Sequence, residues 1–488
     1  MSDWATPVRS IECELLFDGY KLVPDAVLEI EDDRIRAVRP RGASVAEPPA
    51  DPPGGGNTRP REEGTAGVAL RARFAMPGLI DSHVHCIGYH EGMPAAAPFK
   101  PVKTFLRLCI SNGVTTIRDT GNSLETLFYV RDWTRAYPGP RIFGSGPVLD
   151  RPPLMWESSR IIRDEVDAKR EVGRLADDGV DLIKAYRNIT PNLLRPIVES
   201  ATECGLPVAL DASVPAEEAS RIGVHSLEHL QNLFVPDRAD GEAYLCNTAT
   251  RVRAWSRANL DADGYRRLVS TLVEHGTYVV PTIIVSRRWS LLDEMVNEPM
   301  LDWMIPVMPY HKQLRHLRSP MGQAGRRRKT PSLPLPKLAQ TERREVHQGL
   351  ARMGELLVRL HEAGVRIAAG TDTPNPSVVP GFGLHTELRL MVDAGLPPLA
   401  TLRAATSSAA SLIGRADLGR LEPGAVADVL LLDANPLDDI TNLRHIRDVV
   451  KNGARIDLAD VRRRLEQAVE MAGGRATMNE RRVWRSRP

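Results

Sequence analysis

The chain of 488 residues is 42% hydrophobic and 26% charged, an ordinary composition for a globular protein with a large core and a second, smaller domain. Its 64 Lys and Arg residues nearly balance 62 Asp and Glu residues, so the net charge of +2 is too small to favour nucleic acid or an anionic membrane. The composition therefore favours small molecules as binding partners.

The five cysteines are scattered, without the close pairs that are typical of a disulfide framework or of zinc bound by thiolates. They are Cys13, Cys86, Cys109, Cys204 and Cys246. The first ten residues lack the basic and apolar regions of a signal peptide, and no stretch approaches the roughly 20 apolar residues that span a bilayer. We therefore expect a cytoplasmic protein without membrane contact, and leave open whether it forms a homo-oligomer.

The first predicted elements are short strands. Residues 26–40 alternate apolar and polar side chains on either side of Glu31-Asp32-Asp33, which is the pattern of a hairpin. Residues 41–67 are rich in Pro, Gly and charge, without periodicity. They predict a flexible excursion within an N-terminal segment that spans residues 1–75.

Residues 76–417 alternate short apolar runs with helical stretches, the order expected of parallel βα units. The clearest runs are Val114–Ile117, Leu182-Ile183, Pro207–Leu210, Tyr278–Val280 and Val365–Ala369. In a barrel built this way, residues at the C-terminal strand ends face the active site, so the polar residue after each run is a functional candidate. Residues 286–341 interrupt the alternation and are expected to form an insertion or lid.

The pattern returns to strands near the other end of the chain. Residues 427–433 and 446–450 are predicted to be strands, and Asn452-Gly453 suits a turn. We expect residues 418–460 to complete one small β-domain with the N-terminal segment, followed by a C-terminal helix or tail over 461–488.

Two histidines, His83 and His85, follow an apolar run at a spacing of two, which on a strand places both rings on one face. Two neutral imidazoles that converge in this way can bind one Zn²⁺ ion. The pair alone is a weak signal, but three other predicted strand ends carry Lys184, His229 and Asp372. If all of these residues had ordinary surface or core roles, their shared position at strand ends would be a repeated coincidence. The set therefore predicts a metal-dependent active site.

Seven motifs occur in order along the chain. They are MPGLIDSHVH (76–85), GVTTIRDTG (113–121), GVDLIKAY (179–186), SLEH (226–229), AGVRIAAGTDTP (363–374), LHTELRLMVDAGL (384–396) and LEPGAVADVLLLDANPL (421–437). The ordered set resembles the amidohydrolase superfamily, and within it the imidazolonepropionase-like and prolidase-like branch. The resemblance covers nearly the whole chain and implies an α/β fold, a (β/α)8 TIM barrel with a small β-sandwich domain formed by both termini.

The resemblance also implies roles for single residues. His83, His85 and Asp372 would hold the more buried metal, and His229 would bind a second. Lys184, as a carbamate, would bridge the two ions, because carbamylation turns a cation into an anionic bidentate group. Asp372 would act as general base and acid, accepting a proton from the activated water and delivering it to the leaving nitrogen. The implied cofactor is one or two Zn²⁺ ions, with Mn²⁺ or another divalent metal as alternatives.

Asp211 departs from the pattern of these relatives, which place a histidine ligand after strand 5. A carboxylate can bind zinc, but it is shorter than imidazole, so a second ion would shift toward the strand and be a weaker Lewis acid. Residues 151–156 also replace a Gly-Gly-His stretch of many relatives. The resemblance therefore does not extend to the substrate pocket.

Other residues are weaker candidates. His225 could offer a replacement ligand, although a structural role is favoured. Arg118 and Tyr186 end predicted strands, where contact with substrate and an internal ion pair or core hydrogen bond are equally favoured. His385 and Glu387 open a predicted helix and are expected on a solvated face or behind the ligands.

The leading hypothesis is hydrolysis of an amide-like C–N bond in a small molecule, with peptide-like, N-acyl, cyclic amide, urea and carbamate substrates all open. One alternative is a heterocycle deaminase, but such deaminases typically use one metal and no bridging lysine, so Lys184 argues against it. A second alternative, a barrel that binds a ligand without turnover, is suggested by Asp211 alone.

Overall fold

The structure is a computed structural model, and its description covers most of the sequence. The described residues are 5–42, 67–86, 99–154, 156, 158–211, 214–233, 248–291, 338–375 and 377–471. Most of the predicted excursion over 41–67 and of the predicted insertion over 286–341 lies outside them, as do Cys246 and residues 472–488.

Strands come from both ends of the chain and from its middle. In chain order they are β1 (Ala5–Phe17), β2 (Leu22–Glu31), β3 (Arg34–Pro40), β4 (Val68–Pro77), β5 (Leu79–Val84), β6 (Val114–Asp119), β7 (Arg141–Gly144), β8 (Leu149–Asp150), β9 (Arg160–Ile161), β10 (Ile183–Ala185), β11 (Val208–Asp211), β12 (Ser226–Glu228), β13 (Tyr278–Val280), β14 (Val429–Leu432), β15 (Ile446–Lys451) and β16 (Ala454–Ile456).

Helices alternate with the middle strands. They are α1 (Phe99–Ser111), α2 (Leu124–Ala136), α3 (Glu165–Asp177), α4 (Pro191–Glu203), α5 (Ala216–Ile222), α6 (Thr248–Trp255), α7 (Asp263–Glu274), α8 (Ile283–Ser290), α9 (Gln340–Glu362), α10 (Phe382–Asp393), α11 (Pro398–Ala404), α12 (Ser407–Leu412) and α13 (Leu458–Met471). Ser123 and Asp164 cap α2 and α3, because each side chain accepts a hydrogen bond from a backbone N–H of the first turn. Within the described ranges, no helix has the length and apolar character needed to cross a membrane.

Seven strands from the two ends of the chain form one sheet, the terminal sheet, in the order β16-β15-β14-β4-β1-β2-β3. The predicted hairpin is confirmed, since β2 and β3 pair in antiparallel fashion. Strand β1 is 13 residues long, so it pairs with β2 and β4 along most of its length and with β16 at residues 5–7. The terminal sheet thus curls back on itself through β1, and it joins strands from both termini, as the predicted β-sandwich domain would.

The middle strands form a TIM-barrel-like ring of parallel strands. Strands β5, β6 and β7 pair in that order, and so do β10, β11, β12 and β13. The backbone N–H of Asp181, just before β10, donates to the Gly144 carbonyl at the end of β7 over 2.9 Å. The segment 365–373 closes the ring, because it forms parallel bridges with both β13 and β5. The coarse prediction of a TIM-barrel-like α/β fold is therefore confirmed.

Only Gly78 separates β4 of the terminal sheet from β5 of the barrel. A Cβ atom at this position would lie 2.3 Å from Thr115 Oγ1, so a glycine is needed for the two barrel strands to approach. Gly370 allows a similar close approach on the other side of β5, since a Cβ atom there would lie 2.9 Å from the backbone nitrogen of His83. Gly78 thus lets β5 and β6 approach each other, and Gly370 lets the closing segment pack against His83.

Candidate metal centre

The six predicted metal ligands all lie at or near the C-terminal ends of barrel strands. His83 lies in β5 and His85 just after it, Lys184 lies in β10, Asp211 ends β11, His229 follows β12, and Asp372 lies in the closing segment. This is the edge at which barrel enzymes carry their active sites.

Three of these residues form a compact group. The nearest ligand atoms of His83, His85 and Asp372 all lie within 4.8 Å of one another. The Nε2 atoms of the two histidines are 3.6 and 3.1 Å from Oδ1 of the aspartate. Two imidazole nitrogens and one carboxylate oxygen are a donor set that Zn²⁺ accepts, so the group fits one divalent ion.

Both histidine rings are oriented by hydrogen bonds to Nδ1, the nitrogen that faces away from Asp372. Nδ1 of His83 lies 2.6 Å from Glu228 Oε2, and Nδ1 of His85 lies 2.9 Å from the Gly121 carbonyl oxygen. In the metal-bound state these contacts would place the ring proton on Nδ1 of each histidine and leave both Nε2 atoms, which lie on the side of Asp372, to bind the ion. Burial lowers the pKa of His83 to about 3, and the neighbouring Lys184 acts in the same direction. His83 is therefore neutral, as a metal ligand must be.

Glu228 was missed in the sequence, although it makes the contact that orients His83. Its side chain is fully buried, and its Oε1 atom accepts hydrogen bonds from Arg118 Nη1 at 3.1 Å and from Ser226 Oγ at 2.6 Å. Burial alone would raise the pKa of Glu228, but the Arg118 guanidinium beside it holds that pKa well below its usual range. The signal was the spacing of two between Ser226 and Glu228, which turns both polar side chains to one face of β12.

Arg118 is placed by this pair in the barrel interior. Its second terminal nitrogen donates to Ser226 Oγ at 2.8 Å, and the first also donates to the Ser82 carbonyl at 3.1 Å. Of the two roles weighed for it, the structure places Arg118 in the internal ion pair.

His229 has a left-handed backbone with φ of 68°. Its Nδ1 atom lies 2.8 Å from Thr282 Oγ1, and its Nε2 atom lies 3.6 Å from Oδ2 of Asp211. Burial is the main cause that lowers its pKa. The imidazole is therefore neutral and faces the carboxylate that stands at the usual histidine position.

Asp211 has partners on both oxygens. Oδ1 accepts a hydrogen bond from Asn232 Nδ2 at 3.0 Å, and Oδ2 lies 3.4 Å from Nε of Arg187. The Asn232 amide is itself fixed by Arg251, whose Nη1 donates to its oxygen over 2.6 Å. Burial would raise the pKa of Asp211, but Arg187 and the other surrounding groups keep it below its usual range. The residue is thus an ionised carboxylate in an existing network.

Lys184 is fully buried, and its Nζ atom has no hydrogen-bond partner in the part of the chain that the structure describes. Burial lowers its pKa, since the charged form is poorly solvated there. A buried amine without a hydrogen-bond partner, among predicted ligands, is compatible with carbamylation, which would convert it into a group that binds metal.

Of the remaining predicted site residues, His225 lies apart from this group. His225 precedes β12, whereas His229 follows it, so the two are separated by about 13 Å along the strand. The His225 Nε2 atom contacts the Leu412 carbonyl at 3.2 Å, at the opposite end of the barrel, so the idea that it replaces a ligand is not supported. Tyr186 is buried against Trp156, with ring centroids 6.4 Å apart.

His385 and Glu387 were expected on a solvated face or behind the ligands, and the structure buries both. His385 Nε2 lies 2.9 Å from the Asn112 carbonyl oxygen, and Glu387 accepts hydrogen bonds from the backbone N–H groups of Ile283 and Ile284. The carboxyl of Glu387 thereby caps α8, and its burial raises its pKa to about 8. The solvated interpretation was wrong, because apolar residues of α10 carry these two side chains inward.

Comparison with known proteins agrees with the motifs. The family model described as Amidohydrolase family matches residues 74–456. The ochratoxinase of Aspergillus niger is 44% identical over 82 residues, which are 16% of this chain and 16% of that protein. An imidazolonepropionase of Deinococcus deserti is 38% identical over 102 residues, 20% of this chain and 25% of that protein. The chain thus matches a sixth to a quarter of the length of these relatives.

Among solved structures, that of a Xaa-Pro dipeptidase with methionine bound in its active site is similar over 91% of this chain and 98% of the other. The TM-score is 0.60 and the sequence identity is 21%. At this identity the likeness supports the fold, in agreement with the barrel described above.

Proposed function

Since the chain belongs to the amidohydrolase family, we propose that it is a metal-dependent hydrolase that cleaves an amide-like C–N bond in a small molecule. The observation that carries this proposal is the group of His83, His85 and Asp372, whose three ligand atoms converge within 4.8 Å. The hydrogen bonds behind both histidines support it further, because they direct the two acceptor nitrogens toward the same point.

The proposed chemistry needs one divalent ion, such as Zn²⁺, held by these three residues. When bound, such an ion polarises a carbonyl and lowers the pKa of a water molecule. Asp372 would take the proton from the attacking water and pass it to the leaving nitrogen. Burial opposes ionisation of Asp372, but His85 and the other two histidines around it together lower its pKa, so the residue is an ionised carboxylate.

The proposed substrate class is defined by the amide-like bond that is cleaved, and no single relative defines it. The names of the three proteins compared above refer to different substrates, and they support amide-like bonds as a class. Peptide-like, N-acyl, cyclic amide, urea and carbamate molecules all remain candidates. A substrate would not contact Arg118 or Glu228, because both side chains are buried and their ion pair lies behind His83.

A substrate panel with metal analysis tests the proposal. We expect the purified chain to retain at least one divalent ion, to hydrolyse a member of an amide, urea and carbamate panel, and to lose activity on chelation. Added Zn²⁺ or Mn²⁺ should restore the activity. Release of ammonia from aminoheterocycles alone would favour a deaminase, and tight ligand binding without turnover of any compound would favour a degenerate barrel.

Carbamylation of Lys184 is expected to depend on a second ion. An ammonium group between two cations would be repelled, whereas addition of CO₂ to the neutral amine gives an anionic carbamate and releases one proton. Any variant of the chain that holds two ions and is equilibrated with ¹³CO₂ should show a carbamate ¹³C signal that an added Lys184→Met substitution removes. A two-ion sample without this signal would contradict the proposed bridging role.

A further inference from the structure

Arg187 follows β10 and reaches the position at which a second ion would be bound. Its Nε atom lies 3.4 Å from Asp211 Oδ2, and its side chain is 22% exposed. The guanidinium carbon lies 5.4 Å from the ring centroid of Tyr186, which supports it from one side. Neither terminal nitrogen has a hydrogen-bond partner among the residues described, so Asp211 is the group that anchors this cation.

The carboxylate oxygens of Asp211 already have partners and are poorly available to a second metal ion. The Asn232 amide occupies one oxygen, and Arg187 and His229 approach the other at 3.4 and 3.6 Å. A divalent ion placed between Asp211 and His229 would have to displace a guanidinium that stays protonated at every accessible pH. The donor set for the second ion therefore does not fit, in contrast to that of the first.

We propose that the Arg187 guanidinium, anchored by Asp211, takes the place of the second metal ion, so that the centre is built for a single ion. The proposal rests on the proposed function. It also accounts for the unusual residue in β11, because a neutral imidazole there could not balance the charge of an arginine. Aspartate and arginine thus act as a matched replacement for histidine and metal.

Metal stoichiometry tests this directly. The full chain and its variants would be loaded with Zn²⁺, desalted and measured by elemental analysis, and titrated with Co²⁺ followed by visible absorption. We expect one ion per chain in the unmodified protein. Arg187→Gln removes the cation and should raise the content toward two, with second-ion affinity higher by on the order of 10–100-fold. Arg266→Gln, which removes an exposed arginine of α7, is the matched control and should stay at one.

A second variant keeps the test independent of the first. Asp211→His supplies an imidazole and removes the anchor of Arg187, so it should also approach two ions. Two tightly held ions in the unmodified chain would overturn the proposal, and so would folded Arg187→Gln and Asp211→His variants that both stay at one. Two ions together with turnover would leave the hydrolase assignment intact, whereas a chain that holds no ion and has no turnover would fail that assignment itself.

Discussion

Asp372→Asn should abolish detectable turnover while the fold persists. Loss of proton transfer alone is worth about 10²–10⁴-fold in rate, and the same carboxylate is a proposed metal ligand, so the combined loss lies at or beyond the upper end of this range. The side chain is 14% exposed at the catalytic edge of the barrel, and asparagine has nearly the shape of aspartate, so the fold should persist. The rate of hydrolysis of the best panel substrate, measured beside the thermal unfolding midpoint, checks both halves of the expectation.

His83→Ala should match this loss, because it removes a nitrogen of the same group. Asp433→Asn is a suitable control, since this aspartate is exposed in the terminal-sheet region and, among the described residues, forms its ion pair with the exposed Arg447. Full activity in purified Asp372→Asn or His83→Ala would refute the proposed centre.

Glu228→Ala should lower the free energy of unfolding by about 3–5 kcal/mol, because it leaves the buried guanidinium of Arg118 without its counter-ion. The same change frees the His83 ring to rotate, so affinity for the first ion should fall by about 10–100-fold. Denaturant unfolding of the metal-free protein measures the first effect, and competition with a chelator measures the second.

The double variant Arg118→Met with Glu228→Ala separates charge burial from packing. It should recover part of the lost stability, because no unpaired charge then stays in the interior. Arg135→Ala removes an arginine from an exposed ion pair on α2 and should leave stability nearly unchanged. If Glu228→Ala proved no more harmful than Arg135→Ala, the ion pair would not have the structural role assigned to it.

The part of the site that could be predicted from sequence is the part carried by local patterns. His83 and His85 are two residues apart at the end of one strand, and Asp372 comes shortly after an apolar run, so period and strand direction suffice to bring them to one edge. The terminal sheet was anticipated for a similar reason, since its strands alternate or form short apolar runs. How many sheets these strands form depends on the length of β1, which pairs beyond the predicted hairpin.

The parts that could not be predicted depend on partners far apart in the chain. Glu228 contacts a histidine 145 positions away, and nothing in the local pattern of β12 names that partner. Arg187 itself carries no functional signal in the sequence, and its role depends on the fold, which brings it to Asp211. His225 was considered as a ligand from sequence proximity to His229, and it fails because a strand carries its two ends to opposite faces of the barrel.

The pairing of β1 with β16 has a consequence for the order of events during synthesis. Strands β1 to β4 leave the ribosome early, but one edge of β4 and the start of β1 wait for β14 and β16, which are synthesised after the barrel. Until then, β4 presents unpaired backbone N–H and C=O groups to other nascent chains, which is the condition that favours edge-to-edge aggregation. Because β4 continues into β5, the sheet that anchors the strand bearing His83 is complete only after the barrel has been synthesised. Slow translation of the barrel would therefore lengthen the period in which the growing chain depends on chaperones.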